Sequence, residues 1–193
     1  MKKFLAFALI LASVGVTHAA SLSWSAFSIN QPGTTTTATG YTIYLFITEQ
    51  SGDFGSAATT VSAVTDIIKS GVEFYTEGGK NYLKNGADKV QIAAVGETDG
   101  GRIKTAATGY NGNNFGGGDS LKAFAVIFDA SSLSSASNYI VTGVKSASWT
   151  STSGAKTLAF GSQANATWTA VPEPSTAVLA LAGLALLLKR RKA

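Results

Sequence analysis

Carboxylates are the only acid–base side chains that the middle of this sequence supplies in number. The 193 residues include no cysteine, and the single histidine, His18, lies close to the N-terminus. Residues 20 to 170 therefore lack the side chains of a Ser-His-Asp or Cys-His catalytic site and of the usual zinc site. The acidic candidates in this part of the chain are Glu49, Asp53, Asp66, Glu73, Glu77, Asp88, Glu97, Asp99, Asp119 and Asp129.

Nothing in the spacing of these carboxylates selects a catalytic pair, which a glycoside hydrolase needs about 5 to 10 Å apart in a cleft. Three of the carboxylates, Asp53, Asp99 and Asp119, lie in Gly-rich segments. Asparagines add further oxygen atoms in such segments, namely Asn111, Asn113 and Asn114. Oxygen-rich loops of this kind can bind calcium, but the spacing D-x-[DN]-x-[DN]-G is absent, so turns are the better interpretation. We predict no catalytic residue, no metal site and no cofactor.

The aromatic residues offer a second kind of chemistry. Trp24, Trp149, Trp168 and the tyrosines could form a platform on which sugar rings stack, although aromatic residues in strands more often belong to a core. Carbohydrate binding is therefore an alternative to a structural role, and an exposed row of Trp and Tyr would favour it. A small hydrolase that uses a carboxylate pair is a further alternative.

The C-terminal segment Val171–Lys192 has three parts. Pro172-Glu173-Pro174 comes first, and its prolines favour an extended backbone. From Ala177 to Leu188 every residue is Ala, Val, Leu or Gly, and a helix that is apolar on all sides has to sit in a core or a bilayer. A basic cluster follows, formed by Lys189, Arg190, Arg191 and Lys192.

The apolar part is short for a membrane span. Ser175–Leu188 has 14 residues and would be about 21 Å long as a helix, against a hydrocarbon core of about 30 Å. The basic side chains after it can extend from within the membrane to the headgroups, which makes the mismatch tolerable. Because basic residues stay on the cytoplasmic side, we predict a transmembrane helix whose basic stop is inside and whose preceding domain is outside.

An extended Pro-Glu-Pro motif, a short apolar helix, a basic stop and the chain end, in this order, resemble a PEP-CTERM sorting signal. Such bacterial tails are recognised by an exosortase, a membrane-embedded cysteine transpeptidase that is thought to cut at the motif, often in bacteria that make exopolysaccharide. The resemblance implies an exosortase as partner and Pro172, Glu173 and Pro174 as the recognition residues. The run Leu121–Trp168 is also similar to uncharacterised sorting-signal proteins of the Verrucomicrobia and Lentisphaerae type, which implies no known activity.

The N-terminus has the pattern of a signal peptide. Two lysines precede the apolar run Phe4–Val16, and Thr17-His18-Ala19 supplies small residues before the cleavage point. We predict that signal peptidase cleaves after Ala19, with Ala20 as second choice. Between the two ends the chain contains nine basic and ten acidic residues, a net charge of −1, so it has no electrostatic footprint for nucleic acid.

The roughly 150 residues between the ends suffice for one domain with its own core. Strands separated by Gly/Ser/Thr-rich turns predict a mainly β, sandwich-like domain with one α-helix. Tyr41–Thr48, in a central position, and Leu121–Phe128 are the strongest predicted strands. The helix is predicted over Ala57–Lys69, capped by Ser56 and ended by Gly71.

Weaker patterns predict further strands at Leu22–Ile29, with a bulge where the alternation changes phase, and at Val72–Thr76, Val90–Val95, Tyr139–Trp149, Leu158–Phe160 and Ala166–Ala170. Glu77–Asp88 is polar and Gly-rich around Tyr82-Leu83, and Arg102–Gly118 is predicted to be a long exposed loop. We thus expect a signal peptide (1–19), a β-rich exported domain (20–170) and a sorting signal (171–193). The expected role is structural or adhesive at the cell surface or in the extracellular matrix, with exopolysaccharide as a candidate partner.

Overall fold

The computed structural model describes residues 20–51, 56–103, 111–112, 118–149 and 156–172. The predicted signal peptide and most of the predicted sorting tail lie outside these residues. The described chain is mainly β, as predicted, with one α-helix, α1 (Val61–Lys69), and a short 3-10 turn at Leu133–Ser135. Its strands are β1 (Ala20–Phe27), β2 (Thr42–Gln50), β3 (Glu73–Glu77), β4 (Lys80–Asn85), β5 (Asp88–Ile92), β6 (Ala94–Asp99), β7 (Arg102–Ile103), β8 (Asn111–Gly112), β9 (Ser120–Phe128), β10 (Asn138–Val141), β11 (Lys145–Ser148), β12 (Lys156–Ser162) and β13 (Thr169–Ala170).

The core is built around two long neighbouring strands, β2 and β9. They pair antiparallel in the middle of a seven-stranded sheet of order β13-β10-β9-β2-β6-β7, in which β11 also pairs with β9. Both strands bury six consecutive residues. Successive side chains in a strand point to opposite faces, so both faces of this central sheet are covered. The two strongest strand predictions, and the central position of the first, are confirmed.

A second sheet, of order β12-β1-β8, covers one face of the central sheet. β1 and β12 run parallel, with Trp24 opposite Leu158, and the register shifts between Ser25 and Phe27. The extra residue at this shift lies in β12, between Ala159 and Ser162. In β1 itself Leu22, Trp24 and Ala26 are buried and Phe27 is exposed, so the prediction of a bulge in this strand is wrong. Trp24 and Leu158 are buried against aliphatic residues of β2 and β9.

The other face of the central sheet is covered by α1 and by a three-stranded meander, β3-β4-β5. Val64 and Ile68 of the helix and Leu83 of the meander are fully buried against rings from the central strands. The sandwich pattern therefore describes only one side of the central sheet, and the helix and meander add a third layer.

The helix begins four residues later than predicted, at Val61, so the prediction of Ser56 as its cap is wrong. Thr60 is the N-cap, and its hydroxyl accepts a hydrogen bond from the Ala63 amide at 3.1 Å. The residues before it are held in an extended path, since the Thr59 amide donates to the carbonyl of Ile47 at 2.7 Å. Gly71 follows the helix at a positive φ of 95°, as its predicted terminating role requires.

The polar, Gly-rich segment Glu77–Asp88 forms the middle strand of the meander, β4, and the turns on both sides of it. Gly78 and Gly79 both have positive φ, 57° and 74°, which is the geometry of a type I′ hairpin turn. β4 then pairs with β3 on one side and β5 on the other, and of its six residues only Leu83 is buried. Such a strand has a weak apolar pattern, and the Gly-Gly turn is the signal that reveals it.

Three other predictions need smaller corrections. The predicted loop Arg102–Gly118 contains the short strands β7 and β8. The predicted strand Val90–Val95 divides at Ala93, whose amide bonds to the carbonyl of Leu45 at 2.7 Å. Tyr139–Trp149 divides into β10 and β11, both paired with β9. Between them the Thr142 hydroxyl accepts the hydrogen bond of the Ala125 amide at 2.9 Å.

Candidate functional sites at the sorting junction and in a surface cleft

The structure describes the start of the predicted sorting signal and the first residue after the predicted signal peptide. Pro172 is described and exposed. Ala20 opens β1 and pairs with Gly112. The other predicted residues of these two sites lie outside the described residues, namely Ala19, Glu173, Pro174, Lys189, Arg190, Arg191 and Lys192.

The chain enters the sorting signal directly from an edge strand of the central sheet. In β13, Thr169 and Ala170 pair antiparallel with Tyr139 and Asn138 of β10. The Val171 amide donates to the carbonyl of Ser137 at 2.9 Å, and the Val171 side chain is half-buried against the core. No spacer therefore separates Pro172 from the last residue that is bonded to the domain.

Asp129 organises the partner side of this junction. Its carboxylate accepts hydrogen bonds from the amides of Ser137 and Asn138, both at 2.8 Å, and from Nδ2 of Asn138 at 2.7 Å. The Asp129 amide donates to the carbonyl of Asn138 at 3.0 Å. These four hydrogen bonds fix the start of β10, and with it the Ser137 carbonyl that receives Val171.

A cleft of about 540 Å³ opens between the meander and the serine-rich connection that precedes β10. Tyr44 and Phe74 both line it and their rings stack, with the centroids 6.0 Å apart and the planes 27° from parallel. Phe74 and Val95 are 44% and 42% exposed and both line the cleft. Burial raises the pKa of Tyr44 to about 12, so its hydroxyl stays neutral across the physiological range.

The rim of the cleft is polar but carries little charge. Ser131, Ser132 and Ser134 supply hydroxyl groups, and Glu73 is the carboxylate at the edge. The Nζ atom of Lys84 lies 3.5 Å from a carboxylate oxygen of Glu73, so the charge of this carboxylate is balanced locally. The cleft offers apolar contact and hydroxyl hydrogen bonds to a ligand.

The tryptophans do not form the exposed row that would have favoured sugar binding. Trp24 and Trp149 are buried in the core, and Trp168 packs edge-on against Tyr41, with ring centroids 5.9 Å apart. Among the aromatic residues that the structure describes, the more exposed ones are phenylalanines at two separate places, Phe27 and Phe74. An apolar residue that departs from the alternation of its strand is the sequence signal for Phe27, and no comparable signal marks Phe74.

Tyr75 and Tyr82 form a cross-strand pair on the meander, with ring centroids 6.4 Å apart. Lys84 lies over the Tyr75 ring at 4.6 Å and Lys89 over the Tyr82 ring at 5.0 Å. Lys89 also forms an ion pair with Glu77, which lowers the pKa of that carboxyl chiefly through the hydrogen bond. These contacts are those of a solvated sheet surface.

Several predicted acidic candidates have partners that account for them. Glu49 pairs with Lys122 at 2.7 Å, and Asp129 binds the amides at the start of β10. Asp53, Asn113 and Asn114 lie outside the described residues. Within the described residues, no three His, Cys, Asp or Glu side chains are grouped so that they could hold a metal ion.

Comparison with known proteins identifies the C-terminal end of the chain. No curated protein and no solved structure matched the chain. In the part of the chain that the structure covers, no helix is both long enough and apolar enough to cross a membrane. A family model described as the PEP-CTERM protein-sorting motif matches residues 170–192. This match supports the resemblance noted above and implies an exported protein that carries an exosortase recognition signal, membrane-anchored at its C-terminus before processing.

Proposed function

We propose that the domain 20–170 is a structural or adhesive module without catalytic activity, which an exosortase delivers to the cell surface or extracellular matrix. The observation that carries the proposal is the junction, where a matched sorting motif begins within the last strand of a folded domain. The acidic side chains support a non-catalytic role because Glu49, Glu73 and Glu77 are engaged in surface ion pairs. A hydrolase would instead need two carboxylates facing each other across a cleft.

In this proposal both ends of the chain are removed by proteolysis. Signal peptidase removes residues 1–19, and the apolar segment with its basic stop, Lys189–Lys192, holds the exported domain at the membrane. The exosortase then recognises Pro172–Pro174 and separates the domain from that anchor. The resemblance of Leu121–Trp168 to proteins of the Verrucomicrobia and Lentisphaerae type remains a prediction.

The delivery route is tested by the double substitution Pro172→Ala/Glu173→Ala in the bacterium that makes the protein. We expect full-length chain to accumulate in membranes, as measured by intact mass and by fractionation. Asp88→Asn is the matched control, because it changes an exposed residue away from the motif and should leave processing unchanged. Normal release of the double variant would refute the route.

The cleft favours carbohydrate binding as a second function. The apolar face of a hexose ring could lie on Phe74, and the ring hydroxyls could bond to Ser131, Ser132 and Ser134. The Glu73–Lys84 pair leaves no unbalanced charge beside the ring, so a neutral hexose polymer is the ligand class that fits. Exposed apolar residues grouped around a concave site are typical of ligand grooves.

Phe74→Ala tests this second function, with Phe27→Ala as the control. Both phenylalanines are about half exposed, but only Phe74 lines the cleft. We expect Phe74→Ala to weaken binding to neutral hexose oligosaccharides about tenfold, which corresponds to about 1.4 kcal/mol, in calorimetric titration. Equal effects of the two substitutions, or no binding by the unmodified protein, would exclude the cleft as a glycan site.

A further inference from the structure

The residues that lead into the sorting motif are already part of the fold. The matched segment begins at Ala170, which is inside β13. Thr169 and Ala170 are paired with β10, and Val171 adds one more backbone hydrogen bond to Ser137. The first two residues of the matched segment are therefore held by the domain, and Pro172 is the first exposed residue beyond them.

We propose that β13 must leave the edge of β10 before the exosortase can process the chain, so that the domain itself controls how fast it is released. The proposal rests on the exosortase route given above. Enzymes and receptors that bind extended peptides do so largely through main-chain hydrogen bonds. The main-chain groups of Thr169–Val171 that pair with β10 cannot serve an enzyme at the same time.

The geometry of the junction makes this detachment a small, local opening. β13 has only two residues in the ladder, and both are exposed. Val171 is only half-buried, so little apolar surface has to be returned to water. When such an opening is fast relative to cleavage, the cleavage rate follows the population of the open form.

Asp129 positions the residues of and before β10 to which β13 and Val171 are hydrogen-bonded. Its three carboxylate hydrogen bonds position Ser137 and Asn138, and these two residues face Val171 and Ala170. Removing the carboxylate would loosen the acceptor for β13 without altering any residue of the sorting motif. Asp129 is thus a positioning residue for release, far from the motif in sequence.

A reversible disulfide lock between two introduced cysteines, one in β13 and one in β10, provides the decisive experiment. The chain has no native cysteine, so only the introduced pair can form an intramolecular disulfide. The bond between Val171 and Ser137 marks a hydrogen-bonded pair, so the neighbouring pair Asn138–Ala170 is non-hydrogen-bonded, with Cα atoms about 4.5 Å apart. This spacing lies within the range that a disulfide accepts. Asn138→Cys/Ala170→Cys would therefore cross-link β13 to β10.

We expect the oxidised lock, in the full chain in its native membrane, to be processed at least tenfold more slowly than the unmodified chain. Reduction of the same sample should restore processing. Two controls exclude effects of the oxidant: the single variant Ala170→Cys, and the lock Lys122→Cys/Ser146→Cys, which joins β9 to β11 at a register pair away from β13. Both should be processed at the normal rate under oxidising conditions.

Processing of the oxidised lock at the rate of its reduced form would overturn the strand-release proposal. If Pro172→Ala/Glu173→Ala is nevertheless unprocessed in the same assay, the exosortase route stands and only strand release fails. Processing of the double alanine variant would instead remove the route on which strand release rests.

Asp129→Ala should act in the opposite sense and speed up processing severalfold. To separate this effect from general unfolding, the disulfide lock is added to the Asp129→Ala chain. Slow processing of the combined oxidised variant would support control by β13. Fast processing of the combined variant would show that the chain is cleaved from an unfolded state and would contradict the proposal.

Discussion

The two faces of the central sheet are packed according to opposite schemes. The face toward the second sheet is called the sheet-covered face. Here the covering strands supply the bulky Trp24 and Phe160, and β9 presents Leu121, Ala123, Ala125 and Ile127. The face toward the helix and meander is called the helix-covered face. Here the covering elements supply aliphatic residues, and the central strands supply the aromatic rings of Tyr44, Phe46, Phe124 and Phe128. On both faces aromatic rings thus pack mainly against aliphatic side chains, and the layer that supplies the rings differs between the two faces.

The difference shows why the cleft occurs where it does. On the sheet-covered face the central strands present aliphatic residues, and the second sheet packs on them face to face. The rings on the helix-covered face are buried under one short helix and a three-stranded meander, and it is Phe74 of the meander that stays 44% exposed. The buried Tyr44 and the half-exposed Phe74 stack at the margin of this cover, where the cleft lies.

The largest effect on stability is expected from removing a ring on the helix-covered face. Phe124 is fully buried and stacks on Phe46, with ring centroids 5.4 Å apart. Phe124→Ala should lower the free energy of unfolding by about 3–5 kcal/mol, because it removes apolar contact and leaves a cavity. Urea unfolding followed by tryptophan fluorescence measures this. Val144→Ala, at an exposed position, should cost less than about 0.5 kcal/mol, and equal losses would contradict the packing described.

High pH should lower the free energy of unfolding through Tyr44, at the margin of the helix-covered face. Because burial favours the neutral form, the pKa of Tyr44 is raised to about 12 from an ordinary value near 10. Tyr44 therefore contributes stability that is fully present below pH 10 and is lost as the pH rises toward 12. The loss should be about 2–3 kcal/mol, in unfolding experiments across this range.

Tyr44→Phe is the control for this pH dependence, since it keeps the ring and removes the ionisable hydroxyl. Burial also raises the pKa values of Tyr41 and Tyr139, so the variant should retain a smaller decline. An identical decline in the variant and the unmodified protein would show that Tyr44 is not the group responsible.

The sheet-covered face should instead be sensitive to added volume. Ala125 is fully buried there, and Ala125→Leu should cost about 1–3 kcal/mol by overpacking. The matched control is Ala159→Leu, the same change at an exposed position of β12, which should alter stability by less than about 0.5 kcal/mol. A neutral Ala125→Leu would mean that the two sheets are less closely packed than the buried alanines indicate.

The sequence identifies the central strands because each contains an unbroken run of apolar residues, Ile43–Ile47 and Ala123–Phe128, but it does not say what covers each face. In Ile43–Ile47 the aliphatic and aromatic residues alternate, which becomes informative only once the partners on both sides are known. β4 was missed because Leu83 is its one buried residue, so a polar strand that is held by its neighbours has no apolar pattern of its own. The sorting motif was found because its residues are contiguous, whereas the cleft joins Tyr44, Phe74 and Ser131 from three distant segments.

The smallest of these effects concerns the start of α1, on the helix-covered face. The segment before the helix has ordinary helix-forming residues, yet it stays extended because Ala57 donates its amide to the Gln91 side chain at 3.2 Å and Thr59 donates to Ile47. Thr60→Ala should lower the free energy of unfolding by about 1 kcal/mol, since it removes the hydroxyl that caps the Ala63 amide. Thr60→Ser should keep most of that stability. Ser56→Ala is the comparison: a loss as large as that of Thr60→Ala, with reduced helical circular dichroism, would move the helix start back to the position that the sequence predicts.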